Sequence, residues 1–186
     1  MSNVRPGLTF SHFGVFARDL VRMEAFYTDM LGFTVTDRGR IERPAGTVDL
    51  VFLSRDPDEH HQIVLASGRP EEIGFNVINQ ISLKADSLPT LQALFRRLRD
   101  SGVTGLAPIT HGNALSVYAP DPEGNRLELY VDLPWYVTQP VVMPVDLDRD
   151  AQDILNSAEA HARSLPGFMP REQWRAEMAR RMGLSA

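Results

Sequence analysis

Asp121-Pro122-Glu123-Gly124-Asn125-Arg126-Leu127-Glu128-Leu129-Tyr130-Val131 is a turn that leads into a strand. Asp-Pro and Glu-Gly-Asn are turn chemistry, and the alternating run from Arg126 to Val131 has the period of two that a strand requires. On that alternation Leu127, Leu129 and Val131 share the apolar face, while Arg126, Glu128 and Tyr130 share the other. Glu128 is the residue that needs an explanation. A carboxylate in mid-strand is either solvated on an exposed face or held by a cation or metal, because an unpaired buried charge is expensive.

The same order of elements precedes this strand twice. Leu8 to Phe16 reads as a strand with Phe13 and Val15 on one face and Phe10, His12 and Gly14 on the other. Asp19 can cap a helix carrying Leu20, Met23, Tyr27 and Met30 at helical spacing, and Gly32 suits its end. Strands are expected at Phe33 to Arg38, Thr47 to Ser54 and His61 to Ala66, parted by Arg43-Pro44-Ala45-Gly46 and Asp56-Pro57-Asp58-Glu59. After a link at Pro70 to Asn76 the pattern restarts. A strand at Val77 to Ala85 leads to a Ser87-capped helix with Leu88, Leu91, Phe95 and Leu98, which stops near Gly102. Strands at Gly105 to Thr110, Ala114 to Ala119 and Arg126 to Val131 follow. Leu20 and Leu88, Gly32 and Gly102, and His61 and Glu128 are separated by 67 to 70 positions, a near-constant period that implies two copies of one strand–helix–three-strand unit. His12 then corresponds to Gln80. Gln80 and Ser82 share a face, as Tyr118 lies opposite Leu115 and Val117. The expected fold is α+β: two βαβββ modules, about residues 8–67 and 77–132, forming a cup-shaped mixed sheet. His12, His61, Gln80, Tyr118 and Glu128 lie on its polar side, with helices over the apolar faces.

Composition limits what such a cup can bind. The chain has 186 residues, 43% of them hydrophobic, enough for a buried core. A net charge of −5 and the lack of a basic stripe argue against nucleic acid and favour a small neutral or polar ligand. No run approaches the ~20 apolar residues of a membrane span, and Met1 to Phe10 lacks an apolar signal region, so a soluble cytoplasmic protein is expected. With no cysteine, any metal must take nitrogen and oxygen ligands.

Beyond Asp132 regular sheet is expected to end. Ile154, Ala158, Ala162 and Leu165 mark one helix, Pro166-Gly167 a break, and Trp174 and Met178 a second. Residues 134–186 are thus read as a helical extension of a 1–133 domain, packing on that domain or on a partner subunit.

The stretches Phe10-Ser11-His12, Phe26-Tyr27-Thr28-Asp29-Met30-Leu31-Gly32-Phe33 and Asp121 to Leu129 resemble the vicinal oxygen chelate superfamily, which includes glyoxalase I and type I extradiol dioxygenases. The similarity covers about residues 8 to 132 and is nearest the catalytic half of the extradiol ring-cleaving enzymes. It implies paired βαβββ modules around a divalent metal. The first-strand metal histidine of those enzymes falls on His12 and the last-strand glutamate ligand on Glu128. Their histidine pair ahead of the fourth strand resembles His60-His61, with His61 as acid/base, and their active-site tyrosine matches Tyr118. His111 lies near a further histidine of the family. Where those enzymes carry a second metal histidine this chain has Gln80.

The resemblance implies an iron(II)-dependent oxidoreductase of aromatic catabolism acting on a catechol-like substrate, with manganese, nickel or zinc as alternative ions. The metal set would be His12, Gln80 and Glu128, and the catalytic set His61, Tyr118 and His111. Phe10, Phe13 and Phe52 would supply apolar wall. Because some glyoxalase I enzymes use glutamine at the metal, a lyase or isomerase with His61 as a fourth ligand is the alternative, and a metal-free small-molecule binding protein is another. Family practice, together with the apolar Trp135-Tyr136 segment and tail helices, implies a homodimer.

Overall fold

The computed structural model describes residues 9–44 and 46–184. The chain divides into two compact units, Met1–Phe75 and Asn76–Ala186. The first carries β1 (Phe13–Ala17), α1 (Leu20–Ala25) running into a π-helical turn (Phe26–Met30), β2 (Thr34–Arg43), β3 (Gly46–Ser54) and β4 (Ile63–Ser67). The second carries β5 (Ile81–Lys84), α2 (Leu88–Asp100), β6 (Ala107–Thr110), β7 (Ala114–Pro120) and β8 (Arg126–Asp132). It continues through β9 (Trp135–Tyr136), β10 (Met143–Pro144), α3 (Ala151–Arg163), β11 (Met169–Pro170) and α4 (Arg171–Arg181).

In the first unit the strands lie in the order β1-β4-β3-β2, with β1 parallel to β4 and the other pairs antiparallel. Alternation sends Val15, Ala17, Val51, Leu53, Ile63 and Leu65 into a core that also takes Met23, Phe26 and Tyr27 from the helix. The Asp19 carboxylate accepts from the Arg22 N–H at 2.9 Å and starts α1. Gly32, at φ +71°, closes the helical stretch by donating to the Thr28 carbonyl at 3.0 Å.

The second unit repeats the arrangement as β5-β8-β7-β6, again with the first strand parallel to the last. Ser87 caps α2, and the four residues read from helical spacing, Leu88, Leu91, Phe95 and Leu98, are all buried. Two mixed sheets of identical strand order are what the 67-to-70-residue period implies.

Several boundaries differ from expectation. β1 begins at Phe13, so His12 precedes it, and Leu8 lies outside the described residues. β5 begins at Ile81 rather than Val77, because the Asn76 side chain accepts from the Ile78 N–H at 3.0 Å and turns the backbone away from a ladder. β4 begins at Ile63, two residues after His61. There the Asp56-Pro57-Asp58 turn, held by the Asp58 N–H on the Asp56 carboxylate at 3.0 Å, keeps the chain out of the strand. β2 runs on to Arg43.

Sheet does not end at Asp132. β10 adds an antiparallel edge to β6, and β9 pairs with β11. These short pairings satisfy edge backbone groups that would otherwise face open solvent. The extension packs within the second unit: the buried Gln92 side chain donates to the Leu147 and Arg149 carbonyls at 2.9 and 2.8 Å, and Ile154, Ala158 and Ala162 of α3 are buried. Trp135 is only 6% exposed and the half-buried Tyr136 stacks on Trp174 at 5.2 Å, so this aromatic pair packs inside its own chain.

α4 begins at a charged clamp. Asp132 receives Arg171 at 2.7 Å and Lys84 at 2.6 Å. Burial pushes this carboxyl up, yet the two cations outweigh burial and hold it below the ordinary range. A depressed carboxylate stabilises the fold above its unfolded pKa of about 3.9, and that stabilisation disappears as pH falls through the lower folded value. Asp132→Asn should therefore lower the urea midpoint at neutral pH, and the gap from the unaltered protein should close below about pH 3.9. Equal midpoints at neutral pH would show the clamp contributes nothing.

Candidate functional site

Glu128 is 8% exposed, and register explains what surrounds it. On β8 it faces Ser82 of β5 on one side and Tyr118 of β7 on the other, so three strands place three polar side chains in one row. Oε2 accepts from Ser82 Oγ at 2.6 Å and Gln80 Nε2 at 2.7 Å. Oε1 accepts from Ser116 Oγ at 2.9 Å and the Tyr118 hydroxyl at 3.1 Å. These donors fill the four lone-pair positions of a carboxylate, which is how a buried charge is tolerated here. Because a carboxylate only accepts, the amide nitrogen of Gln80 must be the atom turned toward it.

His111 Nε2 stands 3.2 Å from the Tyr118 hydroxyl and 3.5 Å from Glu128 Oε1. The Arg126 guanidinium lies 3.9 Å from the centre of the Tyr118 ring, a cation–π contact. Burial, then the charge of Glu128 and its hydrogen bond, push the Tyr118 phenol above its ordinary value against the opposing effect of Arg126 and Gln80. The second unit therefore brings Gln80, His111, Tyr118 and Glu128 into one hydrogen-bonded cluster.

The first unit brings His12 and His61 together, ring centres 4.2 Å apart. His12 Nδ1 meets Ser11 Oγ at 3.1 Å, which leaves Nε2 as the nitrogen available for other partners. The Nδ1 atoms of His61 and His60 are 2.8 Å apart, one donating to the other, and Phe52 packs on both rings at 5.2 and 5.4 Å. Burial, then the neighbouring His12 and His60, push His61 below the usual imidazole range despite Glu59. His61 is thereby kept as a neutral base. Of the other expected wall residues, Phe13 is half-buried and Phe10 is 83% exposed.

Among the described residues no three His, Asp or Glu side chains converge as a preformed metal site. The donor chemistry nevertheless fits a divalent ion: imidazole nitrogen, amide oxygen and carboxylate oxygen are available, without sulfur. The one constraint is that Glu128 must release a lone pair. Gln80, half-buried and just ahead of β5, is the donor free to move, since Ser82, Ser116 and Tyr118 are fixed by their strands.

The profile of the Glyoxalase/Bleomycin resistance protein/Dioxygenase superfamily matches residues 9–129. The chain belongs to this superfamily. A biphenyl-2,3-diol 1,2-dioxygenase of Rhodococcus globerulus is 34% identical over 129 residues, 66% of this chain and 62% of the relative. A second such enzyme from the same organism is 31% identical over 87 residues, 45% of each chain. The chain thus spans less than two thirds of the length of these relatives. Among solved structures, a glyoxalase/bleomycin resistance protein/dioxygenase domain from a Frankia species superimposes with a TM-score of 0.58 at 20% identity. It covers 68% of this chain and 98% of that one. A fosfomycin resistance protein of Listeria monocytogenes gives 0.51 at 16% identity over 70% of this chain and 96% of its own. These likenesses support the fold of the superfamily.

Ser116, Arg126 and Val141, which also touch this cluster, were not among the residues expected at the site. Ser116 could have been found from strand parity, since it shares a face with Tyr118. In metal-free protein, Glu128→Gln should bring the phenol of Tyr118 part of the way back toward the ordinary value of about 10, the burial contribution remaining. Ultraviolet titration of the four tyrosines, with Tyr118→Phe to identify the signal, checks this. An unmoved Tyr118 titration would show that the carboxylate charge is not felt there.

Proposed function

We propose that the protein is a metal-dependent oxidoreductase that opens the ring of a catechol-like aromatic, in the manner of extradiol dioxygenases. The observation that carries this reading is the Glu128 cluster, in which the Tyr118 hydroxyl stands within hydrogen-bond reach of both a last-strand carboxylate and His111. Identity of 34% to a biphenyl-2,3-diol 1,2-dioxygenase supports the reaction class.

The ligands are His12, Gln80 and Glu128, and the ion is iron(II), with manganese, nickel or zinc as alternatives. When bound, a divalent ion supplies a Lewis-acid centre that chelates vicinal substrate oxygens and lowers the pKa of a hydroxyl. His61, kept neutral, accepts the proton that a substrate hydroxyl releases and later returns it. The Tyr118 hydroxyl, kept protonated, donates a hydrogen bond to developing negative charge on oxygen. Phe52, against the His61 ring, supplies apolar surface for an aromatic substrate.

Gln80 favours a second reading, a glyoxalase-type lyase or isomerase with His61 as a further ligand. Protein purified without chelator should carry close to one divalent ion per chain, lost in His12→Ala and in Glu128→Ala. Under the dioxygenase reading His61→Gln keeps the metal and lowers catechol turnover by about 10²–10⁴. Oxygen is consumed one for one with ring-opened product. Metal lost together with activity in His61→Gln, or turnover without oxygen, would replace this reading with the lyase, and metal-free wild-type protein would defeat both.

A homodimer belongs to the same proposal. With Trp135 buried and Tyr136 stacked within the chain, the large apolar side chains left exposed among the described residues of the extension are Val142, Met143, Met182 and Leu184, at 69%, 37%, 49% and 50%. Light scattering at micromolar concentration should give twice the chain mass of 20.8 kDa, and a monomer mass would refute it.

A further inference from the structure

We propose that the segment Gln139–Val141 of the C-terminal extension is a positioning element of the site, which sets the orientation and tautomer of His111 and through it the hydrogen bonding of Tyr118. The proposal rests on the Glu128 cluster being the reactive centre.

The loop from His111 to Asn113 is tied to the extension at every residue. His111 Nδ1 donates to the Val141 carbonyl at 2.8 Å. Gln139 Nε2 donates to the His111 carbonyl at 2.7 Å, to Asn113 Oδ1 at 3.2 Å and to the Val137 carbonyl at 3.3 Å. Gln139 Oε1 accepts from the Val141 N–H at 3.2 Å, so the same side chain holds both ends of the clamp. Trp135 Nε1 donates to the Gly112 carbonyl at 2.6 Å, and the Leu133 N–H to that of Asn113 at 2.9 Å. Gly112 sits at φ +77°, where a Cβ would come within 2.5 Å of Val137 Cγ2, so the extension approaches closer than any side chain permits.

A carbonyl oxygen cannot donate, so the Val141 contact assigns the hydrogen to Nδ1. The neutral ring then turns a bare Nε2 toward the Tyr118 hydroxyl. The single hydrogen of Tyr118 has two acceptors at nearly equal range, His111 Nε2 at 3.2 Å and Glu128 Oε1 at 3.1 Å. In the other tautomer Nε2–H would meet the phenol oxygen and confine the hydrogen to Glu128. The backbone of residue 141 thus decides where the Tyr118 hydrogen can go. The superfamily match ends at residue 129, so this support comes from outside the matched region.

Long-range proton–nitrogen NMR on nitrogen-labelled, metal-free protein at mildly alkaline pH reads the tautomer directly, and iron-loaded protein with catechol reads kcat and KM. Wild type should show His111 protonated at Nδ1. Gln139→Ala, and the similarly shaped Gln139→Glu that lacks the donor, should gain the Nε2–H form. Both should lose about tenfold to a hundredfold in kcat with KM little changed. A bare Nδ1 in wild type overturns the proposal, a result that needs no variant to fold. So does a Gln139→Ala protein that keeps both the Nδ1–H form and its kcat. If wild type turns over no catechol, the dioxygenase reading fails, and the tautomer shift in the two variants alone upholds or overturns the clamp.

Discussion

A carboxylate inside a β-sheet has to be surrounded by donors, and much of the second unit is arranged to supply them. Ser82 and Tyr118 come from strands on either side of β8 in direct register with Glu128, Ser116 from the next position on the same face, and Gln80 from the chain just before β5. A slip of one residue in either pairing would turn each strand's contribution to the apolar side and leave the charge unpaired. The apolar alternation of Leu127 and Leu129 and the polar cluster are therefore one constraint seen from two faces. Burying the leucines in this register obliges Glu128 to face its donors.

The first unit solves a different problem with the same topology. Its site residues stand ahead of their strands, in irregular chain: His12 directly before β1, His60 and His61 before β4. There is no carboxylate among them, and each imidazole is set by a neighbour, Ser11 for His12 and the His60–His61 contact for the other two. Burial, and after it the charge of the neighbouring imidazoles, lowers His61 and keeps it in the neutral form that can take up a proton. One duplicated scaffold so carries an imidazole cluster in one unit and a buried carboxylate in the other.

Legibility followed physical periodicity. Leu88, Leu91, Phe95 and Leu98 repeat at helical spacing and Leu127, Leu129 and Val131 at strand spacing, so both modules could be read from residues alone. The starts of β1, β4 and β5 could not, because a side-chain turn such as Asn76 on Ile78 competes with the ladder locally. β9, β10 and β11 are two residues each, too short to show any period. Glu128 stands out as a charge in an apolar strand, and Tyr118 by its parity opposite Leu115 and Val117, its active-site role coming from the family resemblance. The partner of His111 had no sequence signal, since it is a backbone carbonyl and every residue has one.

Gln80 is where the two readings of the chemistry part. An amide offers one donor group and one acceptor, and in the structure the donor is committed to Glu128 and Ser82. With the nitrogen so directed, the carbonyl oxygen is the atom left for a cation, so under the proposed ligand set the ion meets one imidazole nitrogen and two oxygens. Exchanging nitrogen for a neutral oxygen hardens the site and weakens it for iron relative to a two-histidine set, moving preference toward ions content with oxygen, manganese among them. Glu128, already saturated, adds a further cost to binding because a donor must leave before a lone pair is free. Both effects act in one direction. Under that ligand set metal occupancy would depend on how readily Gln80 releases Glu128, so the residue that departs from the dioxygenase pattern would also govern access to the carboxylate that fits it.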